Sequence, residues 1–378
     1  FTYTPRTRNG LSNSLPLPAS EVESRLQAGG PFVVRLKVEP GRQIHINDLI
    51  RGDVIFQSSE LDDKVLLKAD GMPMYHLANI VDDHLMEITH VIRGEEWLPS
   101  TAHHVLLYEG FGWSDTMPRF SHLPLILKPV GNGKLSKRDG AKFGIPVFPL
   151  EWTGGTAEEN FSGFRDTGFM PEAVINFLAL LGWHPGGEQE IFTLEELVQA
   201  FSADHISKGG ARFDYEKAKW FNQKYIQAAD NAVLASYIGP LAKNKGYEAT
   251  EEYLQQVAGL MKERVTFLPD FVETGYYLFE PVREYDRETF QKKWTPAIAV
   301  FFNELIGLVA TFDTFNALAL EEAVKQFIQE KGFKPGDVLP LLRLALAGTM
   351  KGPAVFDMAA ALGREETARR LRALTQLQ

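Results

Sequence analysis

Hydrophobic and polar positions change their spacing partway along this chain of 378 residues. In the first part, short runs alternate between apolar and polar residues, as in 43–47 (QIHIN) and 53–57 (DVIFQ). Alternation with a period of two predicts strands that bury one face. From about residue 227 the apolar positions recur at helical spacing, for example in 231–241 and 296–311. The pattern predicts a mixed α/β part followed by an all-helical part.

The α/β part also contains a predicted helix, which is followed by a predicted strand that ends in an arginine. Pro73 precedes a helical pattern in which Tyr75 and Asn79, four residues apart, share one face. The strand predicted for 87–93 ends at Arg93, at the edge of the sheet where α/β proteins bind ligands. An arginine there can hold a carboxylate through two parallel hydrogen bonds. Spacing alone does not decide between this role and an arginine that binds no ligand.

Composition narrows the class of protein. Hydrophobic residues make up 44% and charged residues 23%, as in ordinary globular proteins. No apolar run approaches the roughly 20 residues of a membrane helix, and the first ten residues lack the apolar core of a signal peptide. The chain has no cysteine, and its nine histidines lack a metal-ligand spacing. We therefore expect a cytoplasmic protein without zinc, another bound metal or a membrane partner.

Some pairs of polar residues favour structural roles. The paired acids at 62–63 and 82–83 are interpreted as capping or structural residues. His103 and His104 fall in a helix predicted for 100–110, and we expect them to serve structure or the surface rather than catalysis.

One short segment opposes the acidic balance of the chain, whose net charge is −10. Residues 128–142 contain five Lys or Arg and one Asp, a local charge of +4. Gly131, Gly133 and Gly140 allow the backbone there to bend. Lys134 and Lys137, three residues apart, suit a loop that closes over a polyphosphate and neutralises its charge. The segment alone leaves a second interpretation open, a solvated charged turn.

The motifs on both sides of this segment resemble those of the bacterial glutamyl-tRNA synthetases, a family of class I aminoacyl-tRNA synthetases. The order and spacing match at 75–83 (YHLANIVDD), 89–97 (THVIRGEEW), 122–125 (HLPL) and 134–138 (KLSKR). The resemblance implies the second half of a class I Rossmann-type catalytic domain, of the α/β class, followed by an all-α anticodon-binding domain.

The resemblance also implies roles for individual residues. L-glutamate would be bound by Tyr75, Asn79 and Arg93. ATP, with Mg²⁺ as substrate, would be bound by Glu96, Trp97, the backbone of Leu125 and Ile126, Lys134, Lys137 and Arg138. Lys134 and Lys137 would be the catalytic residues, with Lys137 stabilising the leaving pyrophosphate. The remaining partner implied is tRNA-Glu, and we expect the protein to be a monomer.

The same resemblance divides the chain into four segments. Residues 1–74 would be the C-terminal part of an acceptor-stem-binding insertion, and 75–150 the second half of the nucleotide-binding domain with the KLSKR loop. Residues 151–226 would be a linking domain that contacts the tRNA stem, and 227–378 the helical anticodon-binding domain. Basic residues within 203–224 face either solvent or RNA, and both alternatives stay open. A break in the helical pattern is predicted at 334–337 (KPGD).

The chain departs from the family pattern in one respect. Class I synthetases carry a His-x-Gly-His-like signature near their N-terminus, and this sequence contains none and starts at Phe1. We therefore expect that roughly the first hundred residues of the enzyme are absent from this chain. The main hypothesis is a glutamate–tRNA ligase. The alternatives are a non-catalytic tRNA-binding fragment and a nucleotidyltransferase with a small acceptor, against which the helical C-terminal part argues.

Overall fold

The computed structural model describes residues 2–154 and 160–377. Contacts divide the chain into two compact units. Unit 1 comprises Phe1–Leu135 and Ala179–Phe213, and unit 2 comprises Ser136–Leu178 and Asp214–Gln378. The predicted boundary between residues 74 and 75 therefore lies inside unit 1, and the functions assigned to the four segments stay predictions.

The described residues of unit 1 form three small sheets. The strands are β1 Val34–Arg35, β2 Gln43–Asp48, β3 Gly52–Gln57, β4 Val65–Leu67, β5 His90–Gly94, β6 Arg119–Leu123, β7 Ile126–Leu127 and β8 Ala211–Arg212. The largest sheet has the order β3-β2-β6-β5, in which β2 and β3 are antiparallel while β2, β6 and β5 are parallel. Two-stranded pairs join β1 to β4 and β7 to β8.

All the described helices after residue 214 belong to unit 2, and helices make up most of the remaining structure. They are α1 Ala19–Gln27, α2 Tyr75–Leu85, α3 Leu98–Gly110, α4 Lys137–Phe143, α5 Phe164–Thr167, α6 Pro171–Ala179, α7 Leu194–Ala200, α8 Tyr215–Ala228, α9 Asn231–Asn244, α10 Glu251–Met261, α11 Asp270–Glu273, α12 Arg287–Lys293, α13 Pro296–Ala310, α14 Ala317–Glu330, α15 Pro335–Ala347 and α16 Val355–Thr375. The α/β part and the helical part agree with the fold class predicted from the sequence.

The core of unit 1 joins chain segments that the sequence analysis had separated. Ile44 and Ile46 alternate with exposed neighbours along β2, as the period of two predicts. They pack in one buried cluster with Ala102 and Val105 of α3 and with Phe120 of β6. One hydrophobic core therefore fixes the position of β2 relative to β5 and β6.

The parallel part of the sheet brings three polar side chains to one edge. Asp48 is the last residue of β2, and Arg93 and His122 lie near the ends of β5 and β6. Arg93 is paired with His122 in the β5–β6 register. Because parallel strands end at the same edge, these residues are neighbours although they are far apart in sequence.

The lysine-rich segment is only partly a loop. Lys137 is the first residue of α4, and Ser136 is its N-cap. The carboxylate of Asp139 accepts hydrogen bonds from the backbone N–H (2.9 Å) and the hydroxyl (2.6 Å) of Ser136, which completes a capping box. The prediction of a loop through residue 138 was therefore wrong for Lys137 and Arg138, because the Ser-x-x-Asp spacing caps a helix.

The helices of unit 2 share one large apolar core. Its fully buried members include Phe271, Phe301, Phe302 and Leu305, which large side chains can fill densely. The break predicted at 334–337 lies at 331–334, between the end of α14 at Glu330 and the start of α15 at Pro335, where a missing N–H costs nothing. Another interruption occurs at Gly363, whose φ of 81° breaks the helical geometry of α16.

The described residues contain neither a membrane-spanning helix nor a cluster of metal ligands. Across 2–154 and 160–377, no helix combines the length and the apolar character that a membrane crossing requires. Nor do three His, Asp or Glu side chains of these residues gather as ligands around one point.

Candidate functional site

The guanidinium of Arg93 lies at the centre of a hydrogen-bonded cluster in unit 1. Its Nη2 donates to the hydroxyl of Thr101 (2.7 Å) and to the carbonyl of Trp97 (3.3 Å), and its Nε donates to Nε2 of His122 (3.1 Å). Nη1 points toward the hydroxyl of Tyr75, 3.5 Å away. Burial lowers the pKa of Arg93 from its usual value, yet the group stays charged at neutral pH. Two of its three nitrogens are held firmly, and Nη1 has the weakest contact.

Behind Arg93, Asp48 and His122 form a fully buried pair. Nδ1 of His122 lies 2.6 Å from Oδ2 of Asp48, and both side chains are 0% exposed. Burial opposes the ionised form of Asp48, but hydrogen bonds from the backbone N–H of Arg51, the His122 side chain and further backbone N–H groups outweigh it and lower its pKa. Burial likewise lowers the pKa of His122 in spite of its carboxylate partner. The pair is therefore an aspartate ion and a neutral imidazole.

The residues predicted to bind glutamate lie on α2 and β5. Tyr75 begins α2, and its ring is tilted against that of Trp97 with the centroids 5.2 Å apart. Both rings remain almost half exposed, at 45% and 44%. Oδ1 of Asn79 is buried and has no hydrogen-bond partner among the described residues. Tyr75, Trp97 and Arg93 are thus brought together, and Asn79 offers an acceptor that protein groups leave unused.

Three histidines pack behind Tyr75. His103 and His104 of α3 are buried, as their predicted structural role requires, and His76 of α2 lies 3.1 Å from His104 between ring nitrogens. Burial lowers the pKa of His76 to about 4 and that of His104 to about 3. These imidazoles are neutral at physiological pH, so they add no positive charge beside Arg93.

Glu96 and Lys134, both predicted to meet ATP, form an ion pair. Nζ of Lys134 donates to Oε1 of Glu96, and the hydrogen bond to Lys134 lowers the pKa of Glu96. The carboxylate lies against the backbone of Gly94, where an added Cβ would overlap Oε2 of Glu96. A side chain at 94 would therefore displace Glu96.

The backbone of Leu125 and Ile126 is held on several sides. The N–H of Leu125 donates to Oε1 of Glu95 (3.2 Å), and its carbonyl accepts from the N–H of Ala211 (3.0 Å). The carbonyl of Ile126 accepts from the N–H of Leu135 (2.8 Å). This ladder connects β7 to β8 and to Leu135 of the lysine-rich segment.

Arg212 fastens the turn before Lys134. Its Nη1 donates to the carbonyls of Lys128 (2.8 Å), Gly131 (3.1 Å) and Pro129 (3.3 Å). One guanidinium thus binds three carbonyls of a glycine-rich turn, which fixes the path of the chain into 134–138.

Lys137 and Arg138 belong to unit 2. Nζ of Lys137 lies 5.5 Å from the ring centroid of Phe148, within the range of a cation–π interaction. Other basic side chains of unit 2 also lie over rings: Lys219 lies over Tyr215 and Lys224 over Trp220. These contacts do not decide whether Lys219 and Lys224 face solvent or RNA.

Several residues of the Arg93 cluster were not predicted. Asp48, Thr101 and Arg51 carry no motif of their own, and His122 belongs to a recognised motif without an assigned role. Arg51 bonds the carbonyls of His122 (Nε, 3.2 Å) and Lys208 (Nη1, 2.7 Å), which are distant in sequence. The available signal was positional, because each parallel strand carries a polar residue at its last position or one position before it.

A groove elsewhere in unit 1 is separate from this cluster. It encloses about 870 Å³ between α1 and β1, and its lining includes the apolar residues Leu15, Leu26, Phe32 and Val34. The residues predicted to bind glutamate and ATP do not line it.

Two family models together match nearly the whole chain. The model described as the catalytic domain of class I tRNA synthetases (E and Q) matches residues 3–220. The model described as an anticodon binding domain matches residues 217–375.

Relatives and solved structures agree with these matches. A glutamate–tRNA ligase of Phocaeicola vulgatus is 52% identical over 373 residues, and one of Bacteroides fragilis is 51% identical over 373 residues; each alignment covers 98% of this chain and 74% of the relative. The crystal structure of a glutamate tRNA ligase from Elizabethkingia meningosepticum, in complex with its amino acid, has a TM-score of 0.93 and 45% identity. That of the glutamate-tRNA synthetase from Elizabethkingia anophelis has a TM-score of 0.91 and 44% identity. Both comparisons cover 100% of this chain and 74% of the other.

Proposed function

This chain belongs to the class I tRNA synthetases of the E and Q type, within the glutamate–tRNA ligases, and from that membership we propose how its residues act. A ligase of this family activates L-glutamate with ATP and transfers it to the 3′ end of tRNA-Glu. Tyr75, Asn79 and Arg93 bind the amino acid. Lys134, Lys137, Arg138, Glu96, Trp97 and the backbone of Leu125 and Ile126 bind ATP, which arrives with Mg²⁺.

The observation that carries the glutamate assignment is the arrangement around Arg93. Its Nε and Nη2 are occupied by His122, Thr101 and the Trp97 carbonyl. Nη1 has only a 3.5 Å contact, so it is the nitrogen available to a carboxylate. The unpartnered Oδ1 of Asn79 supplies an acceptor suited to an ammonium group. An amino acid with a second carboxylate offers both chemistries.

The reaction demands little covalent work from the protein. A glutamate carboxylate attacks the α-phosphate of ATP and pyrophosphate leaves. A hydroxyl of the terminal ribose of the tRNA then takes the acyl group of the resulting glutamyl-adenylate, and AMP leaves. The protein contributes by positioning the reactants and by stabilising the charge that develops. Lys134 and Lys137 carry that charge stabilisation, with Lys137 directed to the leaving pyrophosphate.

Recognition of tRNA falls to the part of the chain that matches the anticodon binding domain. Residues 217–375 include α9 to α16, whose shared core makes a rigid support for RNA contacts. We propose tRNA-Glu as the partner and a monomer as the acting form.

The experiment that tests the proposal is glutamylation of purified tRNA-Glu by the 378-residue chain. Radiolabelled glutamate, ATP and Mg²⁺ are supplied, and filter binding of the same tRNA is measured in parallel. Charging that requires ATP and Arg93 supports the complete proposal. The absence of both charging and tRNA binding would contradict it.

A second candidate rests on the missing His-x-Gly-His signature. If that signature supplies half of the ATP site, the chain binds tRNA-Glu without charging it. The same experiment separates the two candidates, because only the second predicts binding without charging.

A further inference from the structure

We propose that Asp48 and His122 are positioning residues for amino-acid recognition, which hold the Arg93 guanidinium in the orientation that meets the substrate carboxylate. This inference rests on the proposed function of Arg93 and adds two residues that need not touch the substrate. It concerns which atom donates and which accepts in the hydrogen bonds that link Asp48 to His122 and His122 to Arg93.

The geometry defines a continuous path of three side chains across three parallel strands. Oδ2 of Asp48 lies 2.6 Å from Nδ1 of His122, and Nε2 of His122 lies 3.1 Å from Nε of Arg93. Nε of arginine is always a donor, so Nε2 of His122 must accept. The imidazole proton therefore resides on Nδ1 and is donated to Asp48.

Asp48 enforces this tautomer because its carboxylate can only accept. Oδ1 accepts the N–H of Ile50 (3.0 Å) and of Arg51 (2.9 Å). Oδ2 accepts from the backbone N–H (3.1 Å) and from Nδ1 of His122 (2.6 Å). With both oxygens fixed by donors and both side chains fully buried, neither ring rotation nor solvent can supply the other tautomer.

The tautomer matters for the direction of the guanidinium. Nε is the nitrogen nearest the aliphatic stem, so fixing it together with the Nη2 contact to Thr101 sets the plane of the whole group. Nη1 is then aimed beside Tyr75. A pair that served only to join β2 to β6 would not require an acceptor facing Arg93.

The sharpest test is Asp48→Asn. The amide keeps the shape of the carboxylate, and its oxygen can still accept from Ile50 and Arg51. Its NH₂ group then faces Nδ1 of His122 as a donor, which shifts the imidazole proton to Nε2. Two N–H groups, those of His122 and Arg93, then oppose each other. An Asp→Asn change beside a catalytic histidine has this effect on the tautomer in serine proteases.

Two measurements follow the consequences in the intact 378-residue chain. Nitrogen-15 NMR of labelled histidine reports the tautomer of His122, and the Nε–H signal of Arg93 reports its hydrogen bond. Calorimetric titration with L-glutamate reports affinity. We expect the Nδ1–H tautomer and a protected Arg93 signal in the wild-type chain. In D48N we expect the opposite tautomer, loss of that signal and a roughly tenfold weaker affinity.

Conservative variants at His122 provide a rescue test. In His122→Gln the amide oxygen can reach the position of Nε2 and accept from Arg93, whereas the shorter side chain in His122→Asn cannot. We expect affinity for glutamate to be partly retained in H122Q and lost in H122N. Equal affinities in these two variants would contradict a positioning role and indicate a purely structural one.

Asp63→Asn serves as the matched control. Asp63 is also a buried carboxylate of unit 1, with 3% exposure, and it accepts the N–H of Val38 and pairs with Arg8. We expect D63N to lower stability while leaving the His122 tautomer and the glutamate affinity unchanged.

The outcomes separate this inference from the proposed function. If the wild-type chain binds glutamate and D48N binds it equally well, the positioning role is wrong and the glutamate site stands. If the wild-type chain binds no glutamate, the proposed function fails. In that case a flipped tautomer with loss of the Arg93 signal in D48N still supports the control of Arg93 by Asp48 and His122, and an unchanged Arg93 signal overturns it.

Discussion

Lys134 and Glu96 neutralise each other at the entrance to the KLSKR segment. Nζ of Lys134 donates to Oε1 of Glu96, and both side chains are substantially exposed, at 55% and 38%. We assign both residues to ATP, so nucleotide phosphates must compete with Glu96 for the ammonium group. Exposed ion pairs add little to stability, which allows this exchange at low cost.

Lys134→Ala should therefore separate stability from function. We expect the free energy of unfolding to change by less than about 1 kcal/mol, because the ion pair is exposed. ATP affinity, measured by calorimetric titration, should fall about tenfold or more as a phosphate contact is lost. Lys68→Ala is the matched control, since Lys68 forms a similar exposed pair with Asp70 (3.3 Å). An equal loss of ATP affinity in both variants would exclude a specific role for Lys134.

Lys137→Ala should affect chemistry more than RNA binding. Lys137 is the first residue of α4, and alanine is well tolerated in a helix, so α4 should remain folded. We expect glutamylation of tRNA-Glu to fall at least a hundredfold, as for other charge-stabilising groups, while the tRNA affinity in filter binding changes less than threefold. Lys142→Ala, at the other end of the same helix, is the control. Parallel losses of both activities in K137A would point to an RNA contact instead.

Asn79→Leu should weaken glutamate binding without lowering stability. Removing a buried acceptor that has no partner is neutral or slightly stabilising, by up to about 1 kcal/mol in urea unfolding. Asn222→Leu offers the contrast, because its amide accepts from the N–H of Met170 (2.8 Å) and donates to the carbonyls of Thr266 (2.6 Å) and Gly168 (3.2 Å). We expect N222L to be destabilised by several kcal/mol. A comparable loss in N79L would show that its amide is satisfied by solvent or protein.

The helices and strands were predicted best from the sequence where the local signals were strong. The helix predicted after Pro73 is observed as Tyr75–Leu85, and the Thr-x-x-Glu spacing at Thr193 forms a capping box that opens α7. The strand predicted to end at Arg93 ends one residue later, at Gly94. Proline position, period and capping residues act within a few neighbours, so one sequence displays them fully.

Long-range contacts account for what the sequence did not reveal. Asp48 and His122 are 74 residues apart, and their pairing follows from the β2–β6 register, which no local pattern encodes. The helix at Lys137 was overlooked because glycines and charges around it favour a turn. Its cap, Ser136 with Asp139, was visible in the sequence but was outweighed by the resemblance to a loop.

Arg212→Ala should loosen the turn that leads into Lys134. The guanidinium binds the carbonyls of Lys128, Pro129 and Gly131, and alanine leaves all three without this donor. We expect amide hydrogen exchange of residues 128–135 to accelerate about tenfold or more, while the core of unit 1 keeps its protection. The exposed Arg119 on β6 provides the control substitution Arg119→Ala. Unchanged exchange in R212A would mean that the turn holds its conformation without Arg212.

Acid should destabilise unit 1 through its buried histidines. The folded pKa of His76, about 4, and that of His104, about 3, lie below the unfolded value near 6.5. The unfolded state therefore binds more protons between pH 6.5 and 4, and stability is complete above pH 6.5 and is lost as the pH falls through this window. We expect a loss on the order of 4 kcal/mol between pH 7 and 5 in urea unfolding, of which each histidine contributes about 2 kcal/mol.

His76→Gln checks the source of that effect. The variant removes one titrating imidazole, so the decline in stability between pH 7 and 5 should become shallower. Histidine NMR titration provides the direct measurement, with the signals of His76 and His104 expected to stay in the neutral form at pH 5. A midpoint near 6.5 for either residue would contradict the burial seen in the structure.

The discontinuity of unit 1 has a consequence for its synthesis on the ribosome. Its strand β7 pairs with β8, so the ladder at Ile126 and Leu127 needs residues Ala211 and Arg212. At 5–20 residues per second, roughly 4 to 16 s separate the translation of Leu135 from that of Phe213. During this interval the nascent chain must keep the edge of β7 unpaired while all of 136–178 is made. Slow codons or chaperone contacts within that stretch would therefore influence the yield of correctly folded protein more than the same delay placed after Phe213.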